Sequence, residues 1–265
     1  MSRKIRVILG GSEGKMGQII KSLAARSGDI EVAYGFDPTL KDLKNLSDIA
    51  ELGKELNKIA DVYMDFTVPE ATIHNVEYAS SLGLDSVVGT TGWYDSLENV
   101  KDIAFKYRRR VLYAPNFSPG VNVLFYATRE VARLLGKLGY DASVREVHHV
   151  EKADAPSGTA IELGNILLQE MNRESLAYER RDKRKASEID VLGTRVGRVT
   201  GSHDVWFTPG ESYYERLILQ HDLFSREILG LGALIGVRWI AQAKKDRKQP
   251  GLYTFYGDVL GLTKA

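Results

Sequence analysis

Apolar positions along the first hundred or so residues follow two alternating periods. Ile5-Arg-Val-Ile-Leu9 is a short, largely β-branched run, and after it Met16, Ile19, Ile20, Leu23 and Ala24 fall at helical spacing. The alternation repeats through strand-like 31–36 and 62–66, helix-like 73–82, strand-like 86–89, an exposed helical stretch to Arg108 and strand-like 111–114. Such a succession predicts a parallel sheet with helices on both faces. After Gly120 the rhythm changes. A long helical segment to about residue 138 is followed by a strand at 142–147, a helix from about Thr159, three strand-like segments at 194–200, 203–208 and 213–221, and a last helix at about 228–244. The three strands predict an antiparallel sheet with helices on one face and the other face open to a second subunit. The fold class expected is α/β, a Rossmann-like parallel-sheet unit joined to an α+β unit with a mixed or antiparallel sheet.

Between the first strand and helix stands Gly10-Gly-Ser-Glu-Gly-Lys-Met-Gly17. Strand, glycine-rich turn and helix form the context in which small residues let a backbone approach a pyrophosphate at a helix N-terminus. The spacing is G-x-x-G-x-x-G (Gly11, Gly14, Gly17), and a tight turn without ligand is the competing reading. Asp37 closes the second strand about 20 residues on, where the dinucleotide fold places a carboxylate for the ribose hydroxyls; a helix cap or turn acid before Pro38 is the alternative. Pro38 follows it and the nearest cation is Lys41, so NADH is expected over NADPH. Asp65-Phe66-Thr67, Gly89-Thr90-Thr91-Gly92 and Pro115-Asn116-Phe117-Ser118 each follow a strand, and together with Ala114 they suit the nicotinamide end of the cofactor.

Residues 145–160, Arg-Glu-Val-His-His-Val-Glu-Lys-Ala-Asp-Ala-Pro-Ser-Gly-Thr-Ala, hold the densest chemistry. Histidines move protons near neutral pH, and the Pro-Ser-Gly-Thr turn opens a helix whose N-terminus attracts anions. Either Ser157 or a Thr159–Glu162 capping box can close that helix. In an extended strand His148 and His149 would point to opposite faces, so both serve one pocket only if the strand ends there. One exposed and one core histidine is the competing reading. A zinc site is not expected, because HExxH spacing and cysteine are lacking and Lys152 would repel a cation.

Composition narrows the classes. The 265 residues suffice for one large domain or two smaller ones, and 43% hydrophobic and 27% charged residues suit a soluble globular protein. A net charge of +1 leaves no nucleic-acid footprint, and the charge-dense 179–185 reads as a solvated loop. The absence of cysteine excludes disulfides and thiolate chemistry. No apolar run approaches the roughly 20 residues of a membrane span, and the N-terminus lacks a signal-peptide core. A cytoplasmic location with neither membrane nor nucleic-acid partner is expected.

These motifs resemble the 4-hydroxy-tetrahydrodipicolinate reductase (dihydrodipicolinate reductase) family over nearly the whole chain. The match is carried by Glu146–Ala160, supported by Gly14–Gly17, Asp65–Thr67, Gly89–Gly92, Ala114–Ser118, Gly120–Asn122, Pro250–Tyr253 and Asp258–Leu260. The resemblance implies NAD(P)H-dependent reduction of (2S,4S)-4-hydroxy-2,3,4,5-tetrahydrodipicolinate, a cyclic dicarboxylate, to tetrahydrodipicolinate with loss of water, in diaminopimelate and lysine biosynthesis. It implies His148 and Lys152 as catalytic groups, and His149, Ser157, Gly158, Thr159, Thr91 and Arg226 as substrate contacts. It assigns Gly11, Glu13, Gly14, Lys15 and Met16 to the pyrophosphate and Asp37 to the ribose. It also implies a homotetramer built through the second sheet, with residues 1–119 and 227–265 as the nucleotide unit and 120–226 as the substrate and oligomerisation unit. Lys15 replaces a commoner Arg, Asp37 a commoner Glu, and Gly201-Ser-His-Asp-Val-Trp206 departs from the usual Gly-Glu-His-Thr at a place expected to be remote from the chemistry. Another NAD-dependent small-molecule dehydrogenase and a non-catalytic NADH sensor are the rival readings.

Overall fold

A computed structural model describes residues 3–37, 46–49, 58–178, 184–210 and 214–262. The chain forms two compact units, Met1–Ser118 with Arg226–Ala265, and Pro119–Ser225. The expectations placed on Pro38, Lys41 and most of 179–185 lie outside the described residues.

The first unit holds a six-stranded sheet of β1 (Ile5–Gly10), β2 (Ile30–Phe36), β3 (Val62–Asp65), β4 (Asp85–Val88), β5 (Arg110–Tyr113) and β11 (Gly251–Thr254), in the order β11-β5-β4-β3-β1-β2. Every pairing is parallel. Its helices among the described residues include α1 (Lys15–Ser27), α2 (Pro69–Ser81), α3 (Leu97–Lys106) and α6 (Glu227–Lys245). Alternation along β1 sends Val7 and Leu9 into one layer, with Ile20 and Leu23 of α1 and Ala233, Val237 and Ile240 of α6. It sends Ile8 into the opposite layer with Phe36, Tyr63 and Ala79. Burial on both faces explains why the short strands read as unbroken apolar runs. Strand order reverses beside β1, since β2 lies on one side and β3 on the other; open sheets of this type bind ligands beyond the carboxyl ends of the strands at such a switch.

The second unit holds β6 (Tyr140–His148), β7 (Ser175–Ala177), β8 (Glu188–Arg195), β9 (Gly201–Pro209) and β10 (Leu217–Leu223), in the order β10-β9-β6-β8-β7, with α4 (Pro119–Gly136) and α5 (Gly158–Glu170). The sheet is mixed rather than antiparallel: β9 runs antiparallel to β6 and β10, whereas β8 runs parallel to β6 and β7. The strand expected at 194–200 is displaced to Glu188–Arg195, because Ile189 and Val191 are the fully buried residues while Val196 is exposed. Leu124 and Ala132 of α4 and Ala160, Leu163 and Leu167 of α5 pack on Ala142, Val144, Ile189, Val191, Val205 and Phe207. On β6 the next members of the buried row after Ala142 and Val144 are Glu146 and His148; on β9, Phe207 and Val205 continue into His203. A hydrophobic row thus becomes polar at one end of the sheet.

Candidate active site

That polar end is built from the two strands and the start of α5. Glu146 is 1% exposed. One of its carboxylate oxygens accepts from Arg195 Nη1 at 2.8 Å and the other is hydrogen-bonded to Nδ1 of His148. Two glycines make room. Gly193 is the register partner of Glu146 on β8, and a Cβ there would stand 2.5 Å from Glu146 Oε1; a Cβ on Gly201 would stand 3.0 Å from His148 Nε2. The His203 ring lies edge-on to His148 with centroids 5.1 Å apart, and its Nε2 is 3.1 Å from Ser157 Oγ. The segment 201–206 is therefore beside the histidine cluster, not remote from it: β9 pairs with β6 and sets His203 opposite Glu146.

Strand β6 ends at His148, and the chain turns, with Lys152 N–H donating to the His149 carbonyl at 3.2 Å. His149 is half-buried, and its Nδ1 has no hydrogen-bond partner among the described residues. Lys152 Nζ donates to Asp154 Oδ1 at 2.6 Å, which holds the Asp154 carboxyl below its ordinary range. Ser157 caps α5 by accepting from Ala160 N–H at 3.2 Å, so the Thr159–Glu162 box is not the cap. No acid occupies the first turn and nothing lies within 4 Å of a Cβ built on Gly158. The Gly158 and Thr159 amides have no i−4 acceptor, and amides of this kind at a helix N-terminus can bind an anion.

Burial pushes the His148 pKa down, against the opposing pull of the Glu146 carboxylate; Lys152 and Arg195 add to the depression. His203 is pushed down to about 4, first by burial and then by His148. Glu146, His148 and His203 offer ligand atoms within 4.8 Å of one another. Glu146 is already shared between Arg195 and His148 and two cations face the cluster, so the arrangement suits proton handling rather than a metal ion.

The first unit carries the glycine turn. Gly11 has φ +76°, and its N–H and that of Ser12 both donate to the Phe36 carbonyl, at 2.9 and 3.1 Å. A Cβ on Gly11 would lie 2.0 Å from the Phe66 carbonyl oxygen, and one on Gly17 would lie 2.2 Å from that of Gly11. Helix α1 begins after Gly14 with no side-chain cap and no acid in its first turn, which Lys15 and Met16 open. An uncapped N-terminus preceded by a glycine turn fits a pyrophosphate. Asp37 is buried and accepts from the Glu13 N–H at 3.0 Å. The Glu13 side chain itself pairs with Lys21 at 2.8 Å, which lowers its pKa.

Asp65, which carries no chemistry in the sequence reading beyond its loop, is a structural hub. It is fully buried and accepts from Tyr63 Oη at 2.6 Å, Thr67 Oγ1 at 2.7 Å, Thr90 Oγ1 at 2.6 Å and the Thr67 N–H at 3.1 Å. It ties the loops after β3 and β4 together. A Cβ on Gly89 would strike the Phe66 ring at 2.2 Å, so these loops are closely fitted. Thr91 next to them is exposed. Ala114 and Phe117 are buried, the Phe117 ring 5.1 Å from Phe255, and Asn116 Oδ1 accepts from the Ser118 N–H at 2.8 Å. Arg226 is exposed at the start of α6. Glu146 and His203 join the site without having been expected there; their signal in the sequence is a polar residue at positions two apart in otherwise apolar strand rows.

Comparison with known proteins follows the same division. Residues 5–117 match the family model described as dihydrodipicolinate reductase, N-terminus, and residues 120–260 the one described as dihydrodipicolinate reductase, C-terminus. A Methanopyrus kandleri protein named 4-hydroxy-tetrahydrodipicolinate reductase is 35% identical, the alignment covering 97% of each chain. An Aquifex aeolicus protein of the same name is also 35% identical, over 97% of this chain and 99% of its own. The fold is similar to that of dipicolinate-bound dihydrodipicolinate reductase from Paenisporosarcina sp. TG-14, with TM-score 0.75, 21% identity and coverage of 95% and 97% of the two chains.

Proposed function

Because this chain belongs to the dihydrodipicolinate reductase family, we propose that it reduces (2S,4S)-4-hydroxy-2,3,4,5-tetrahydrodipicolinate to tetrahydrodipicolinate, with release of water, in diaminopimelate and lysine biosynthesis in the cytoplasm. The observation that carries this reading is the juxtaposition of a carboxylate-paired imidazole at the end of β6 with Lys152 and the open N-terminus of α5. It pairs a proton donor with a cradle for a carboxylate.

Gly11, Glu13, Gly14, Lys15 and Met16 would hold the pyrophosphate of a pyridine nucleotide, Asp37 its ribose, and Phe66, Thr67, Gly89, Thr90, Thr91, Ala114, Asn116 and Phe117 its nicotinamide end. When bound, the nucleotide supplies a hydride. The Gly158 and Thr159 amides and Lys152 hold a substrate carboxylate and favour the negative charge that develops. His149, Thr91 and Arg226 contribute further substrate contacts. His148 delivers a proton from Nε2 to the ring, since its Nδ1 is taken by Glu146. The buried Asp37 carboxylate would repel a 2′-phosphate, which supports NADH over NADPH; a higher kcat/KM with NADPH would reject that preference. Residues 1–119 with 227–265 are the nucleotide unit and 120–226 the substrate unit. The helix-free face of the second sheet, where the Arg145 and Arg216 guanidiniums stack on Trp206 at 4.7 and 4.0 Å, supports assembly as a homotetramer, testable by sedimentation.

A coupled assay tests the activity. Dihydrodipicolinate synthase, pyruvate and aspartate semialdehyde generate the substrate, and NADH absorbance is followed. Substrate-dependent oxidation is expected, and its absence overturns the reading. His148→Gln and Lys152→Cys should each lower kcat about 10²–10⁴-fold while NADH affinity, read by fluorescence titration, stays within a few-fold.

A further inference from the structure

We infer that Glu146 is a positioning residue for the reduction: its buried carboxylate holds the His148 ring through Nδ1, which leaves Nε2 as the atom that exchanges the proton. The inference rests on the reading of His148 as proton donor.

Three observations carry it. First, Glu146 is almost wholly buried, and each carboxylate oxygen has a different task, one on Arg195 Nη1 at 2.8 Å and one on His148 Nδ1. A carboxylate kept only for an ion pair with Arg195 needs no second partner. Second, the neighbouring strands are notched for both groups. Gly193 clears the carboxylate and Gly201 clears the Nε2 edge of the imidazole, so any side chain at 193 would push Glu146 from its place. Third, the groups that face His148 are unequal in sign. Arg195 at the end of β8 and Lys152 in the loop after β6 oppose a proton on the ring, as does burial; His203 of β9, itself beside His221 of β10, adds none of its own while neutral. Among the described residues that act on His148, Glu146 alone favours the charged ring. Arg195 in turn donates to the Asp154 carbonyl, so the guanidinium ties the carboxylate to the loop that carries Lys152.

Removing the negative charge lowers the His148 pKa further. A step that needs protonated His148 is then lost at lower pH. In Glu146→Gln, kcat for the cyclic dicarboxylate should fall about 10- to 100-fold, the loss expected when a histidine loses its orienting partner, with KM within about threefold, and the alkaline limb of the kcat profile should move to lower pH. A purely structural carboxylate would change the melting temperature and leave that limb in place. Protein labelled with ¹⁵N-histidine gives a second readout that requires no substitution of Glu146. Above its titration, His148, assigned by the resonance missing in His148→Gln, should carry its proton on Nδ1. An Nε2–H tautomer in the active protein, or a Glu146→Gln variant with unchanged kcat and pH limb, overturns the positioning role. Absence of turnover in the unsubstituted protein would instead overturn the reductase reading.

Discussion

At the scale of single residues, Ser157 joins two functions. Its hydroxyl caps α5 and touches Nε2 of His203, so it sets the helix N-terminus against the histidine cluster. Ser157→Ala should cost about 1 kcal/mol of stability through the lost cap and raise KM for the dicarboxylate more than it lowers kcat, as measured by denaturant melts and steady-state kinetics. Equal losses in kcat and kcat/KM would show that the hydroxyl acts in the transition state alone. Asp65 is a comparable anchor in the first unit. It accepts from five described donors around one buried carboxylate, the Thr67 N–H and the side chains of Tyr63, Thr67, Asn75 and Thr90, and its substitution by Asn would leave at least one donor facing a donor.

At the scale of elements, the turn between β1 and α1 separates packing from binding. Gly17 meets the Gly11 carbonyl oxygen so closely that a Cβ would lie at 2.2 Å, whereas at Gly14 the nearest atom would be 3.4 Å away. Gly17→Ala should therefore destabilise the first unit by roughly 1–3 kcal/mol. Gly14→Ala should melt within a few degrees of the unsubstituted protein yet bind NADH more weakly, because the methyl group would stand where a pyrophosphate approaches the open helix end. Calorimetry and cofactor titration on the two variants check the contrast; unchanged NADH affinity in Gly14→Ala would move the pyrophosphate elsewhere.

Taken over the full chain, three histidines that burial holds below their ordinary range contribute to the response to acid. His203 is depressed from 6.5 to about 4, and His148 and His221 are depressed in the same direction by burial. The unfolded chain takes up these protons first, so stability is retained above about pH 6.5 and lost as pH falls toward about 4. His203 alone accounts for up to roughly 3 kcal/mol of that loss. Denaturant unfolding across this window should show the decline, and His203→Gln, which retains a partner for Ser157, should flatten it. An equally steep decline in the variant would assign the effect to other groups.

Much of this was legible in the sequence because it depends on short-range order. Periodicity marked the parallel strands and their helices, the glycine spacing marked the turn before α1, and the dense run 145–160 marked the imidazoles, the ammonium and the anion-binding turn; each is a matter of residues within one or two elements of each other. What pairs across strands was not legible. Nothing local says that β8 lies parallel to β6, that its apolar centre is Ile189 and Val191 rather than the segment after Arg195, or that three-residue β7 joins the sheet. The partners of His148 follow from that pairing. Gly193 and Arg195 come alongside β6 through the β8 register, and His203 arrives through β9, so a segment that reads as distant from the chemistry becomes its wall. Propensity and periodicity are local, so residue order alone reveals which groups exist and how neighbours along the chain are spaced. Charge and solvation act through space, so which carboxylate faces which imidazole, and what burial does to their protons, follows from strand pairing and packing.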